Sequence, residues 1–445
     1  MRLIVFGATE VGYMIAGRLC QEHDITLVDE SERLPEKFNA LDVRHVTGSG
    51  TDISTLENAD EGKARLFIAC SQNDEANIVA CWTIKKISDI ETVCFVSRGD
   101  IYNNLVSDVQ HRYHTRYDID NVIWPEQLLT EDIFRIILVP EALDVEYFDG
   151  GRTKLFEYRV KEDSPLCNMR VMDCDFPDNV IIVGITHDSS LSIPRGQTMI
   201  RLDDKVVFMG TGQALDLLAV QLSKKKNKID SAVIIGGGNV GFFLARQMEQ
   251  SGIRAKIIDH DEKRCAFLAM NLGKSLVLQG DGTDIELLEE EAVGQQDVVI
   301  CVTNNDEKNL LCSLLAKKLG AQRIITRTSN ERNGDLFERV GVDVVVSPRE
   351  SAMKELLNLM EVRDEDILAF VAGGQGEVLR IEVPETFPDT QVMDLRLPEQ
   401  AIIGAIKRGR AVLIPNGQTT VCAGDTLKVF THTESTDSIQ DVFKI

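Results

Sequence analysis

The strongest constraint on how this chain folds is that its second half repeats its first, motif by motif and in the same order. Val5-Phe6-Gly7-Ala8-Thr9-Glu10-Val11-Gly12 recurs as Ile234-Ile235-Gly236-Gly237-Gly238-Asn239-Val240-Gly241, an offset of 229 residues. Gly48-Ser49-Gly50-Thr51-Asp52 recurs as Gly280-Asp281-Gly282-Thr283-Asp284, and Ser71-Gln72-Asn73-Asp74-Glu75-Ala76-Asn77 as Thr303-Asn304-Asn305-Asp306-Glu307-Lys308-Asn309, both at an offset of 232. Ile119 to Ile123 with Pro125 matches Val342 to Val346 with Pro348, and Ile193-Pro194-Arg195-Gly196-Gln197-Thr198 matches Ile414-Pro415-Asn416-Gly417-Gln418-Thr419. A chain built this way folds as two similar halves.

Within each half the first part alternates short Val/Ile-rich runs with segments of helical period, the pattern of βαβ units and a parallel sheet. After Glu162 and after Pro384 the pattern becomes short strands broken by Gly, Pro and Asp, which predicts a small α+β module. The expected fold is therefore α/β: two Rossmann-like parallel-sheet domains, each followed by a small α+β domain. The boundaries read from the sequence are 1–125 and 126–222, a linker at 223–230, then 231–348 and 349–445. The Ser223-Lys224-Lys225-Lys226-Asn227-Lys228 stretch lacks apolar periodicity and reads as linker, with phosphate binding by its lysines as the alternative.

The second half holds a complete dinucleotide fingerprint. The strand Val233-Ile234-Ile235 runs into Gly236-x-Gly238-x-x-Gly241 and a helix, and the next strand delivers Asp259, 23 residues after Gly236. The first glycine permits the tight turn, the second lets the backbone approach a pyrophosphate, and the third lets helix and strand pack closely. An acid at the position of Asp259 can accept both ribose hydroxyls and would repel a 2′-phosphate, favouring NAD over NADP. The first half keeps Gly7, Gly12 and Asp29, but Thr9 stands where the second glycine belongs and would crowd the closest approach to a pyrophosphate. Gly273-Lys274-Ser275 looks like the end of a P-loop, yet Leu268 replaces the first glycine of that motif.

Gly280-Asp281-Gly282-Thr283-Asp284 and the turn Thr303 to Asn309 closely resemble the signatures of TrkA-type nucleotide-binding domains, also called RCK or KTN domains, and the resemblance runs the length of the chain. It implies that Thr283, Asp284, Thr303 and Asn304 line the adenosine side of the second site and, by the repeat, that Thr51, Asp52, Ser71 and Gln72 do so in the first. Asp74-Glu75 and Asp306-Glu307 are equally readable as helix N-terminal caps that complement the dipole and as ligand contacts. The family places an arginine in the fifth strand, where Arg327 fits; the first half shows Val96 there, with Arg98 two residues on. The resemblance implies NAD⁺ or NADH as ligand, with ATP or ADP as alternatives, and a regulatory ring of eight domains from four chains. It further implies a TrkH- or TrkG-like membrane subunit that translocates potassium, and a place on the inner face of the cell membrane. Apolar residues after Pro125, including Leu128, Leu129, Ile133, Ile136 and Ile137, serve either domain pairing or intrachain core.

The competing function is a soluble NAD-dependent oxidoreductase, which needs a substrate pocket with a poised acid or base. The seven histidines, His23, His45, His111, His114, His187, His260 and His432, recur at no shared position, and no Cys, His or paired-acid constellation accompanies them. A formal charge of −23 repels a nucleic-acid backbone. The ten cysteines form no CxxC pair, which suits a reducing compartment. The chain opens directly into a strand with no leader-like segment, and no run approaches the roughly 20 apolar residues of a membrane span.

Overall fold

The computed structural model describes all residues except 22, 61–63, 107–116, 140, 189, 223–228, 331–332, 362–366, 372–374, 410, 434–438, 440–441 and 444–445. The lysine-rich linker and His111 and His114 lie outside the described residues.

Residues 2–123 form a six-stranded parallel sheet, β1 (Arg2–Phe6), β2 (Asp24–Asp29), β3 (Val43–Thr47), β4 (Leu66–Ala69), β5 (Glu91–Phe95) and β6 (Asn121–Ile123), ordered β3-β2-β1-β4-β5-β6. Helices α1 (Glu10–Leu19), α2 (Ile53–Asp60), α3 (Asp74–Ile87) and α4 (Gly99–Val106) connect the strands. The four residues of β4, Leu-Phe-Ile-Ala, are all buried, as a central strand covered on both faces must be. Helix α5 (Pro125–Leu138) follows, with proline in its first turn where the missing N–H costs nothing. Next come five antiparallel strands, β7 (Ala142–Phe148), β8 (Thr153–Arg159), β9 (Val180–His187), β10 (Ser190–Ser192) and β11 (Lys205–Thr211), then helix α6 (Gly212–Leu222).

The second half repeats this plan. Its parallel strands are β12 (Ser231–Ile235), β13 (Arg254–Asp259), β14 (Leu276–Gln279), β15 (Val298–Cys301), β16 (Ile324–Arg327) and β17 (Val344–Val346), ordered β14-β13-β12-β15-β16-β17. The helices are α7 (Asn239–Ser251), α8 (Glu262–Asn271), α9 (Ile285–Glu290), α10 (Asp306–Lys318), α11 (Gly334–Arg339) and α12 (Pro348–Glu361). The closing antiparallel sheet comprises β18 (Ile367–Val371), β19 (Gly376–Glu382), β21 (Ala401–Arg408), β22 (Ala411–Leu413) and β24 (Thr426–His432), with β20 (Thr390–Gln391) and β23 (Thr420–Val421) paired beside it. Both small domains start earlier in the chain than the sequence suggests: β7 and β8 precede Glu162, and β18 and β19 precede Pro384.

The halves exchange helices. Leu129, Ile133, Ile136 and Ile137 of α5 are buried in the core of the second parallel sheet with Ala232, Ile234, Leu244 and Met248. Ala352, Met353, Leu356, Leu357 and Met360 of α12 enter the core of the first with Leu3, Val5, Ile15 and Leu27. The α5 stripe is thus intrachain core and domain pairing at once. Arg323 fixes the exchange by donating from Nη2 to the carbonyls of Ile136 (2.9 Å) and Ala142 (2.7 Å), and from Nη1 to that of Val139 (3.2 Å), at the C-terminal end of α5. The two small domains also pack on each other. Phe148, Leu155, Val183, Val207 and Met209 share one core with Ala369, Val371, Val378, Ala405 and Phe430. A Cβ on Gly404 would lie 2.4 Å from the Met209 sulfur, so a larger residue there would require the Met209 side chain to shift.

Candidate functional site

The loop between β12 and α7 is the better-formed site. Gly236 has φ 109°, a conformation that favours glycine, and a Cβ there would meet the Thr303 backbone nitrogen at 2.9 Å. A Cβ on Gly241 would lie 2.0 Å from the Gly236 carbonyl oxygen. Both glycines are therefore required by the protein itself. Gly238 differs, because nothing lies within 4 Å of an added Cβ, so the position opens onto the space where a ligand's phosphates would stand. Asn239 and Val240 begin α7, with Val240 buried in the core. The Asp259 Oδ2 accepts the Gly237 N–H at 2.6 Å and its Oδ1 accepts that of Asp261 at 2.9 Å. Each oxygen keeps a lone pair that can accept a ribose hydroxyl, so the acceptor pair fits the ribose of a nucleotide.

Arg264 at the start of α8 was not singled out from the sequence. Its guanidinium donates to the Gly238 carbonyl at 3.0 Å, also bonds that of Gly237, and lies 4.6 Å from the centre of the Phe267 ring. Burial holds it below the ordinary arginine range despite the nearby Asp259 and Asp261. Its only sequence signal is its place five residues after Asp259.

On the opposite side, Asp281 Oδ1 accepts the Thr283 N–H and hydroxyl at 3.0 and 2.8 Å, bonds that hold its carboxyl below the usual range. Asp284 caps α9 by accepting the Glu286 N–H at 3.0 Å. Thr303 and Asn304 follow β15. The fully buried Asn309 accepts the Thr303 N–H at 2.9 Å and donates to the Thr303 and Arg327 carbonyls at 2.9 and 3.0 Å, tying two strand ends together. The Arg327 Nη1 donates to Asn304 Oδ1 at 2.7 Å and lies 3.7 Å from Glu126, which belongs to the exchanged helix α5. Glu126 also accepts from Asn239 Nδ2 at 2.8 Å, so the first half completes the rim of the second site.

The first site repeats the frame with changed chemistry. Gly7 has φ 114°, and a Cβ on Gly12 would lie 2.1 Å from the Gly7 carbonyl oxygen. Asp29 Oδ2 accepts the Ala8 N–H at 2.7 Å; burial pushes the carboxyl up, but this bond and those from Ser31 outweigh it and hold it below the ordinary range. The Thr9 hydroxyl is already committed. It donates to the Cys70 carbonyl at 3.0 Å and accepts the Gly12 N–H at 3.1 Å, capping α1. Glu10 and Val11 open that helix. The Thr51 and Ser49 hydroxyls are 3.0 Å apart, and Asp52 accepts from Thr55 and Ser54 at the start of α2. Asn77 latches Ser71 and Phe95 as Asn309 latches Thr303 and Arg327, with Gln72 next to Ser71 at the exposed turn.

That latch corrects one sequence reading. Phe95, not Val96, stands opposite Arg327 in the repeat, because the two asparagines bond those two carbonyls. Arg98 instead pairs with Glu75 and Asp100 at the surface. The caps of α3 and α10 are Asn73 and Asn305, while Asp74 and Asp306 accept the backbone N–H groups of Ser97 and Ser329. The pseudo P-loop is filled from within, since the N–H groups of Gly273, Lys274 and Ser275 all donate to Glu249. Among the described residues no His, Cys, Asp and Glu group is placed to hold a metal, and no helix is long and apolar enough to cross a membrane.

Comparison with known proteins follows the same division. Residues 3–125 and 232–348 match the TrkA-N domain, and residues 155–223 and 378–444 match the TrkA-C domain. The chain is 32% identical over 458 residues to a Trk system potassium uptake protein TrkA homolog of Methanosarcina mazei, covering all of both chains. It is 32% identical to the Trk system potassium uptake protein TrkA of Halomonas elongata, over 97% of this chain and 95% of that one. The solved GsuK RCK domain superposes with a TM-score of 0.63 at 21% identity, over 99% of this chain and 94% of that one; the GsuK channel bound to NAD gives the same score at 20% identity, over 99% and 78%.

Proposed function

The chain belongs to the TrkA family, and from that premise we propose that it is a nucleotide-sensing regulatory subunit of a potassium uptake system. Potassium transport is the role carried by the names of its full-length relatives. NAD⁺ or NADH, with ATP or ADP as competitors, occupies the Rossmann loops, and the ligand's work is to change shape rather than to react.

The observation that carries this reading is the construction of the second site. Gly236, Gly238, Gly241 and Asp259 shape a loop with room for a phosphate at Gly238 and a carboxylate able to accept a ribose hydroxyl, and Glu126, from the helix that joins the other half to its small domain, bonds Asn239 at its edge. A nucleotide that moves this rim moves the crossover. The proposal continues that paired halves assemble into a ring of four chains on the inner face of the membrane, and that ring shape biases the pore of a TrkH- or TrkG-like subunit. Only a ligand with different affinities for two ring shapes can do so.

Calorimetric titration of the purified chain with NADH, NAD⁺, ATP and ADP tests the reading, with Asp259→Ala as the site variant. Binding abolished by that substitution supports it. Absence of binding to the intact chain sinks it, and substrate-dependent oxidation of NADH would transfer the chain to the oxidoreductase reading.

A further inference from the structure

The two phosphate loops are met by side chains of opposite charge, each supplied by the other half of the chain. At the second loop, Glu126 in the first turn of α5 accepts from Asn239. At the first, the corresponding residue of α12 is Arg349, whose Nη1 lies 3.8 Å from Glu10 Oε2; Lys37 pairs with the other oxygen of the same carboxylate. Glu10 and Asn239 are the first residues of α1 and α7, so both contacts stand beside the helix N-terminus that receives a phosphate.

This inversion decides what the end of a ligand meets. At the first loop two cations share one carboxylate, and Glu10 is 57% exposed and held only by them. A terminal phosphate can replace it as their acceptor, with the guanidinium fork binding two oxygens. At the second loop the same place is held by Glu126, only 22% exposed, which repels a terminal phosphate but can accept a ribose hydroxyl. The cations at the second loop are already engaged: Arg327 Nη1 donates to Asn304 Oδ1 at 2.7 Å and stands 3.7 Å from Glu126 itself, and Arg264 donates to the Gly237 and Gly238 carbonyls.

We propose that the first site takes a nucleoside polyphosphate through Arg349, and that the second takes a dinucleotide because Glu126 excludes a terminal phosphate. The proposal rests on the nucleotide-binding reading above and divides its two ligand classes between the two halves.

Calorimetry of the full chain in EDTA, which removes divalent ions as bridges, separates the possibilities with ATP, ADP and NADH as probes. Arg349→Glu is expected to weaken ATP and ADP binding by roughly ten- to a hundredfold, the loss for a hydrogen bond between charged groups, and to leave NADH binding as in the parent. The retained NADH affinity also shows that the variant is folded. Glu126→Gln is expected to raise ATP stoichiometry from one per chain to two. ATP affinity indifferent to Arg349→Glu, or two equal ATP sites in the parent, overturns this proposal and leaves nucleotide sensing standing. A parent that binds no nucleotide overturns both.

Discussion

Replacing Gly238 by threonine should make the protein more stable and a worse nucleotide binder at the same time. The residue caps α7 without a side-chain hydrogen bond, and an added Cβ there has no atom within 4 Å. The first loop shows what a threonine does in this position: its hydroxyl bonds the Gly12 N–H and the Cys70 carbonyl. The equivalent partners, the Gly241 N–H and the Val302 carbonyl, are present in the second loop by the repeat. A gained cap and a less flexible unfolded chain together favour Gly238→Thr by about 0.5–1 kcal/mol. With the two halves sharing their cores, thermal unfolding should therefore shift upward by roughly 1 °C per kcal/mol. The same side chain occupies the space where the backbone should approach a pyrophosphate, so NADH affinity should fall by about tenfold or more. Scanning calorimetry and NADH titration on one preparation read both numbers. Parent-like affinity in the more stable variant would refute the assignment of Gly238 as the point of closest approach, and a drop in both would show that the loop had deformed instead.

Gly241→Ala should lose both properties, since its Cβ would stand 2.0 Å from the Gly236 oxygen; a variant with parent stability by thermal unfolding would contradict the packing described. Ile133→Ala removes a fully buried side chain of the first half from the core of the second parallel sheet and should cost about 2–5 kcal/mol. Hydrogen exchange should then accelerate in β12 and α7, and acceleration confined to residues 1–125 would disprove the helix exchange. Glu157 is buried in β8 with an unpartnered Oε1, and burial, opposed by Lys205 and Arg159 and reinforced by Asp144 and Glu338, raises its carboxyl from 4.5 to about 7. The unfolded chain ionises first, so the stability this group contributes is intact below pH 4.5 and is lost as pH rises to 7. Glu157→Gln should therefore be more stable than the parent above pH 7 by up to roughly 3 kcal/mol, and should lose that advantage near pH 5; parallel pH profiles in urea denaturation would rule this out.

The parts of the structure legible in the sequence are those fixed by local geometry. Gly236 and Gly241 are demanded by a turn and a contact spanning six residues, and Asp259 by the end of the next strand, so pattern and chemistry coincide. The β7 and β8 strands were hidden because Glu146, Lys154 and Glu157 are buried in them, which breaks the expected apolar alternation. Their charge is balanced from elsewhere: Lys354 of α12 pairs with Glu146, and Asp216 of α6 accepts from Lys154 at 2.7 Å. Partners more than 60 residues away leave no local signal. The destination of α5 was hidden for a related reason, since an apolar stripe at Leu129, Ile133 and Ile136 shows that the helix must be covered but not by which of two nearly identical sheets.

That ambiguity is resolved in a way that bears on signalling. Helix α5 presents Glu126 to the second nucleotide loop at one end, while its other end is clasped by Arg323 and runs directly into β7 of the first small domain. Fourteen helical residues make a strut about 21 Å long. Helix α12 makes the reciprocal connection, from Arg349 at the first loop towards β18 of the second small domain. Each small domain is therefore wired to the site of the opposite half, and the two small domains share one core. A rearrangement at either rim would reach that shared core through a packed helix, without passing through the half that contributes the glycines. Linkage makes such coupling reciprocal: if a polyphosphate at the first loop shifts the small-domain pair, it changes the affinity of the second loop for a dinucleotide by the same factor, and titrating either ligand in the presence of the other measures that factor twice.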